Sequence, residues 1–206
     1  IIVGRTHSFG VEKTDAWLIK VDSNGNKEWD KTFGGPGYDC GCAVKQTIDG
    51  GYIIAGQSGE YPGNSDLSWL IKTDELGELQ WERKYFRQWA FDICQTDDEG
   101  FIVAGGYVEN LMKVDKDGNK LWEKSFDNID YLRSVQLTND GGFIMIGGYH
   151  PTRHLIKTNS NGDIEWITKF NPFMHSQSVI QNNDGGYALV GYQGESDYEP
   201  MGWMII

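Results

Sequence analysis

The sequence is short of positive charge. Against 30 Asp and Glu stand 18 Lys and Arg, for a formal net charge of −12. Affinity for a phosphate backbone comes largely from Lys and Arg, so the surface as a whole excludes nucleic acid and anionic membranes as its general partners. Long apolar runs are missing too. None approaches the ~20 residues that a membrane-crossing helix needs, so no membrane span is expected. No basic–apolar–small leader opens the chain; its first residues already read as a strand, and any leader would lie upstream. Three cysteines, Cys40, Cys42 and Cys94, are too few and too irregular for a disulfide scaffold. A buried free thiol is the expectation for Cys42 and Cys94. A sustained helical period is absent throughout.

Glycine and aromatics are plentiful instead: 27 Gly, and 13% aromatics that include 8 Trp. Together they suggest many short strands joined by tight turns, because Gly supplies the positive-φ positions of such turns. Internal periodicity then organises the chain. One anchor is an apolar strand, a turn and a Trp: Leu18-Ile-Lys-Val-Asp-Ser-Asn-Gly25 to Trp29, and Leu70-Ile-Lys-Thr-Asp-Glu-Leu-Gly77 to Trp81. It recurs as Leu111-Met-Lys-Val-Asp-Lys-Asp-Gly118 to Trp122, and as Leu155-Ile-Lys-Thr-Asn-Ser-Asn-Gly162 to Trp166. Successive anchors are 52, 41 and 44 residues apart. The second anchor is a turn followed by a strand ending in Gly, as in Asp49-Gly-Gly-Tyr-Ile-Ile-Ala-Gly56 and Asp140-Gly-Gly-Phe-Ile-Met-Ile-Gly147.

Each full repeat thus holds four strands. Strand A precedes an Asp-Gly turn, whose residues suit a tight hairpin. Strand B is continuously apolar, as for a strand covered on both faces. Strand C carries Leu-Ile-Lys, and strand D carries the Trp. Four-stranded units with a period of about 40–50 residues match propeller blades. The expected fold is all-β, a β-propeller of about five four-stranded blades in one domain over 1–206. Blades fall at approximately 1–33, 38–85, 89–126, 131–170 and 175–206, giving 18 strands, with the first and last blades incomplete. Since the two ends duplicate strands B and C, the chain is expected to be a piece of a larger propeller.

The two anchors resemble a blade repeat of surface and secreted proteins of bacteria and archaea. The Asp-x-x-Gly-x-x-x-Trp half is also similar to the blades of quinoprotein-like propellers, and strands closing in Gly105-Gly106 or Gly147-Gly148 to Kelch blades. This resemblance covers essentially the whole chain. It implies a propeller at an extracellular or cell-surface location, and it says little of activity, because blade motifs are structural signatures. The adjacent cysteine pair of quinone-binding enzymes is missing, as is the Ser-x-Asp-x-Gly-x-Thr-Trp box of sialidases. No cofactor and no metal is expected.

Alternating strand directions put the A–B and C–D turns on one face and the B–C and D–A connections on the other. The first set is short and uniform. The second varies: 6–15, 33–38, 57–67 and 192–201 are long, while 106–110 is short. Loops on a rigid scaffold are the usual carriers of binding residues. Aligning the repeats sets Cys40, Trp89, Tyr131 and His175 at one position entering strand A, with Asp39 and Asp130 one residue earlier in their repeats. Trp89, Tyr131 and His175 would form an aromatic rim beside Asp39 and Asp130, suited to the C–H faces and hydroxyls of a sugar.

Competing readings accompany each of these residues. The rim rings could simply close the core, and Asp39 with Asp130 could be a glycosidase carboxylate pair. His150, His154 and His175 could meet a metal. Asp22–Gly25 and Asp115–Gly118 superficially resemble calcium loops but lack the further oxygen ligands, so turns are expected. Trp29, Trp81, Trp122 and Trp166, one per blade, should pack between neighbouring sheets. The expected function is a non-catalytic binding or scaffold module for a carbohydrate or protein ligand. Alternatives are a polysaccharide-acting hydrolase or lyase, and a structural subunit of a surface assembly.

Overall fold

Two kinds of tight turn punctuate the chain, each built on a carboxylate or amide that collects backbone N–H groups. After strand A, Asp49 Oδ1 accepts the Gly51 N–H at 3.1 Å and the Thr47 hydroxyl at 2.5 Å, with Gly50 at φ +85°. After strand C, Asp74 Oδ1 accepts the N–H groups of Leu76 and Glu78 at 2.9 and 2.8 Å, with Gly77 at φ +79°. The calcium-like segments are turns of this second kind. Asp22 and Asp115 each accept two backbone N–H groups, and Gly25 and Gly118 take positive φ. Only a residue without Cβ adopts that conformation at no steric cost.

The computed structural model describes residues 1–7, 13–60, 65–85, 89–106, 110–149, 152–170, 174–194 and 200–205, with backbone alone at 60, 65–66, 174–176, 192–194 and 200–205. The strands are β1 (Ile2–Thr6), β2 (Asp15–Val21), β3 (Lys27–Phe33), β4 (Asp39–Gln46), β5 (Tyr52–Glu60) and β6 (Ser65–Thr73). They continue as β7 (Leu79–Tyr85), β8 (Trp89–Gln95), β9 (Phe101–Gly106), β10 (Leu111–Val114), β11 (Lys120–Lys124) and β12 (Tyr131–Leu137). Last come β13 (Phe143–Tyr149), β14 (Thr152–Thr158), β15 (Ile164–Phe170), β16 (Met174–Gln181), β17 (Tyr187–Gly194) and β18 (Pro200–Ile205).

The named strands pair antiparallel, and an isolated parallel bridge joins Thr14 to Tyr38. Strands β1–β3 form one sheet, β4–β7 the next, and β16–β18 the last. Strands β8–β11 and β12–β15 are two further meanders, bridged by the single pair Tyr131 and Gly106. Consecutive meanders pack in chain order: β4 lies against β1 and β2, β8 against β4 to β6, β12 against β8 and β9, and β16 against β12 to β14. The leading strands β4, β8, β12 and β16 also meet one another in turn. The chain is a β-propeller, and these strands are its innermost ones.

Its core is distributed over the seams. Because side chains alternate across a strand, Ile54 faces the β1–β3 sheet while Ile53 faces the β8–β11 meander. Likewise Val103 packs back towards β4–β7 and Ile102 forward towards β12–β15. Ile144 and Ile146 extend the pattern to Val179 and Leu189. Each fully buried side chain of this kind contributes about 1.5–3 kcal/mol. The strand-D Trp residues fill the same seams. Trp29 meets Tyr52 edge-on at 5.9 Å, Trp81 meets Phe101 at 6.3 Å, and Trp166 meets Tyr187 at 5.7 Å. Gly77, Gly118 and Gly162 receive the rings of Trp29, Trp81 and Trp122; a Cβ there would stand 2.8–2.9 Å from the ring. The repeated Trp is thus a knob that locks each sheet to the turn of the next.

Candidate functional site

The inner strands share one irregularity, and it builds the site. In β4, β8, β12 and β16 the pairing with the following strand skips a residue, so Cys42, Phe91, Arg133 and Gln177 are left without a ladder partner. Such β-bulges bend a strand and re-aim a side chain. Opposite them stand Gly56, Gly105 and Gly147. A Cβ at these glycines would lie 1.9–2.0 Å from the carbonyl oxygens of Cys40, Trp89 and Tyr131. The strand-ending Gly is therefore the counterpart of the bulge. With the extra residue inserted, the residue two earlier shares its neighbourhood: Cys40 with Cys42, Trp89 with Phe91.

Trp89 and Phe91 pack edge-to-face at 5.9 Å, and Phe91 meets Tyr131 at 6.3 Å across the seam. The Arg133 guanidinium lies 4.8 Å from the Phe91 ring centre, and that of Arg153 lies 5.5 Å from Tyr131. Arg153 is 3% exposed; it donates to the Thr152 carbonyl at 3.1 Å, while its Nε has no partner. A ring ladder flanked by two guanidinium groups presents apolar faces and donors together.

Of the residues proposed from sequence, Trp89 and Tyr131 are brought together, through Phe91. Asp130 is exposed, and its carbonyl accepts from Asn110 Nδ2 at 3.1 Å. His175 pairs through its backbone with Tyr192; its side chain lies outside the described residues, as does His150. His154 is buried on β14, and burial, Lys169 and Arg153 hold its imidazole below the usual range.

Asp39 lies apart from the ladder. It is 2% exposed, and its Oδ2 accepts the Gly35 N–H at 2.8 Å. Its neighbour is Asp15: a Cβ on Gly34 would stand 2.2 Å from Asp15 Oδ1 and 2.9 Å from Asp39 Oδ2. Oδ1 of both carboxylates is buried without a partner. Burial first, and then the charge of Asp39, raise the Asp15 carboxyl above the usual range. The repeat alignment coupled Asp39 to Asp130; the fold couples it to Asp15, which entered no sequence argument.

The thiols divide. Cys94 is buried, and burial pushes it up to about 12. Cys42, expected to be buried, is exposed because the bulge turns it out of the seam. Its sulfur lies 4.0 Å from that of Cys40.

The opposite face carries a cleft of about 640 Å³ between β4–β7 and β8–β11, lined by Ile48, Asp49, Lys72, Trp81, Gln95 and Phe101 among others. Two of its polar groups are already engaged. Lys72 donates to Asp49, Gln80 and the Thr73 carbonyl, and Gln95 accepts the Ile48 N–H.

No family model and no curated protein matches the chain. Among solved structures it is similar to the Dos1 propeller, at 12% identity and a TM-score of 0.59, over 93% of this chain and 52% of that one. It is also similar to a protein of unknown function from Bacteroides caccae, at 13% identity and a TM-score of 0.51, over 74% of this chain and 57% of that one. At such identities the likeness is one of fold, and the chain spans little more than half the length of either structure.

Proposed function

We propose that the chain is a non-catalytic binding module at an extracellular or cell-surface location, and that its ligand is a carbohydrate held at the rim of the inner strands. The observation that carries this reading is the Trp89–Phe91–Tyr131 ladder with Arg133 and Arg153 against it. Aromatic faces stack on the C–H faces of a sugar ring, and guanidinium groups donate to its hydroxyls or carboxylates. A glycan array with the folded chain tests it. A positive glycan should lose about tenfold or more in affinity with Trp89→Ala, equivalent to about 1.4 kcal/mol. An array negative throughout, with a protein captured instead through the same residues, would move the ligand class from sugar to protein.

A second reading, a hydrolase acting on polysaccharide, is favoured by one observation: two buried carboxyls side by side, with Asp15 raised. A carboxyl with a raised pKa close to a second carboxyl is what glycoside hydrolysis requires. It predicts turnover that disappears with Asp15→Asn or Asp39→Asn. Turnover untouched by either substitution would eliminate it.

A further inference from the structure

The pair Cys40 and Cys42 is unlike its counterparts. Where the next two inner strands set Trp89 with Phe91 and Tyr131 with Arg133, β4 sets two thiols on one side of the strand, sulfur to sulfur 4.0 Å. Residues two apart on a strand share a face, and the bulge at Cys42 draws this pair together. Gly41 between them allows the close seating of β4 on β1: a Cβ there would stand 2.3 Å from Val3 Cγ2. Cys42 is exposed and Cys40 half-buried, so reagents can reach the pair, whereas Cys94 is closed off. The Cys40 thiol also lies 3.7 Å from Gln57 Oε1. Among the described residues no third His, Cys, Asp or Glu joins them in a metal-binding group.

From this geometry we infer that Cys40 and Cys42 are a thiol–disulfide exchange site, closing to an intramolecular disulfide at the expense of a low-molecular-weight disulfide. The Cys40 thiolate attacks one sulfur of the incoming disulfide, whose S–S bond breaks; one thiolate leaves and a mixed disulfide forms on Cys40. The Cys42 thiolate then attacks Cys40 Sγ and expels the second thiolate. The two cysteine protons end on the two released thiols, so two electrons pass from the protein to the reagent. Closing the bond requires the sulfurs to approach from 4.0 Å to about 2 Å. Cys40 attacks first: the contact with Cys42 lowers its thiol, against its own burial and with help from Gln57 and Arg5, while Cys42 is raised.

Oxidised glutathione is the probe. After exposure of the folded chain, the tryptic peptide 32–45, which holds both residues, should lose the mass of two hydrogens, and Cys94 should remain a free thiol. Closed disulfide should exceed the mixed glutathione adduct by at least about tenfold, since the second step is intramolecular. Cys42→Ser should instead accumulate one glutathionyl group on Cys40, and dithiothreitol should reverse both products. The proposal is overturned if the wild-type chain accumulates glutathione adducts or cross-linked dimers without the closed peptide. It is equally overturned if Cys94 reacts as fast as the pair in protein shown to be folded by circular dichroism.

Discussion

The two ends of the sheets solve the same problem in opposite ways. At the turn end, buried charge is paired. Lys113 is 6% exposed and donates to Asp98 Oδ1 at 2.6 Å and to the Thr96 hydroxyl; Lys157 is 3% exposed and meets Asp140 and Glu165, each at 2.9 Å. Lys72 repeats the arrangement with Asp49. The Lys of strand C thereby ties the A–B turn to its own sheet. At the loop end, burial comes without pairing. Asp15 Oδ1, Asp39 Oδ1, Arg153 Nε and His154 Nδ1 are buried with no hydrogen-bond partner, all near the starts of β2, β4 and β14. An orphaned buried polar atom costs about 1–3 kcal/mol. Thr158 Oγ1 is a buried orphan at the turn end as well, so the contrast is one of charge: among the described residues, buried charged groups are paired at the turns and left with open atoms at the loops, which separates scaffold from site.

The sharpest way to break that comparison is by truncation. Trp122→Ala should lower stability by about 3 kcal/mol in urea unfolding, because the ring fills the seam against Gly162. Trp89→Ala, at the rim, should cost well below that while impairing binding. Equal losses would mean that the rim is simply more core.

Next come the paired lysines. Asp98→Ala should cost about 1–2 kcal/mol, since Lys113 loses its carboxylate. Asp140→Ala should cost less, because Lys157 keeps Glu165 at 2.9 Å. A reversed order would show that these pairs do not hold the turns.

The smallest effect separates the ends by its sign. Burial alone would raise Asp98, yet hydrogen bonds from Lys113, Thr96 and Gly100 outweigh it and bring the carboxyl to about 2. Its stabilising contribution is therefore present above the unfolded value of 3.8 and is lost as pH falls through about 2. Asp15 runs the other way. Its folded value is raised, so the folded state holds an extra proton, and stability falls as pH rises from 3.8 through that value. Urea midpoints across about pH 2 to 7 should then move in opposite directions when Asp98→Asn and Asp15→Asn are compared with wild type. Asp15→Asn should raise the midpoint at neutral pH, and Asp98→Asn should lower it.

Much of this architecture could be read from the repeats. Asp-Gly turns, apolar B strands and one Trp per unit pointed to an all-β propeller with Trp between sheets, because local turn chemistry and seam packing both recur with the same period. The rim was half legible. Trp89 and Tyr131 were named from alignment, but Phe91 and Arg133 were not. Alternation counted back from Ile93 and Val135 assigns those two residues to a seam that Ala90 and Leu132 occupy instead, and the inserted residue breaks the count without any signature in its own identity. The available signal was on the partner strand: Gly56, Gly105 and Gly147 lie opposite each insertion. Asp39 and Asp130 differ in their surroundings for a related reason. Equivalent positions in a repeat share a backbone and not an environment, and Asp39 is closed over by Gly34 and Gly35 while Asp130 faces solvent.

The unpaired residue in each inner strand leaves this molecule with positions that no ladder partner constrains. Cysteine, phenylalanine, arginine and glutamine occupy them at 42, 91, 133 and 177. Such a ring can be rewritten one letter at a time while the sheets behind it stay as they are. Relatives of this chain could thus diverge in what they grip long before they diverge in shape.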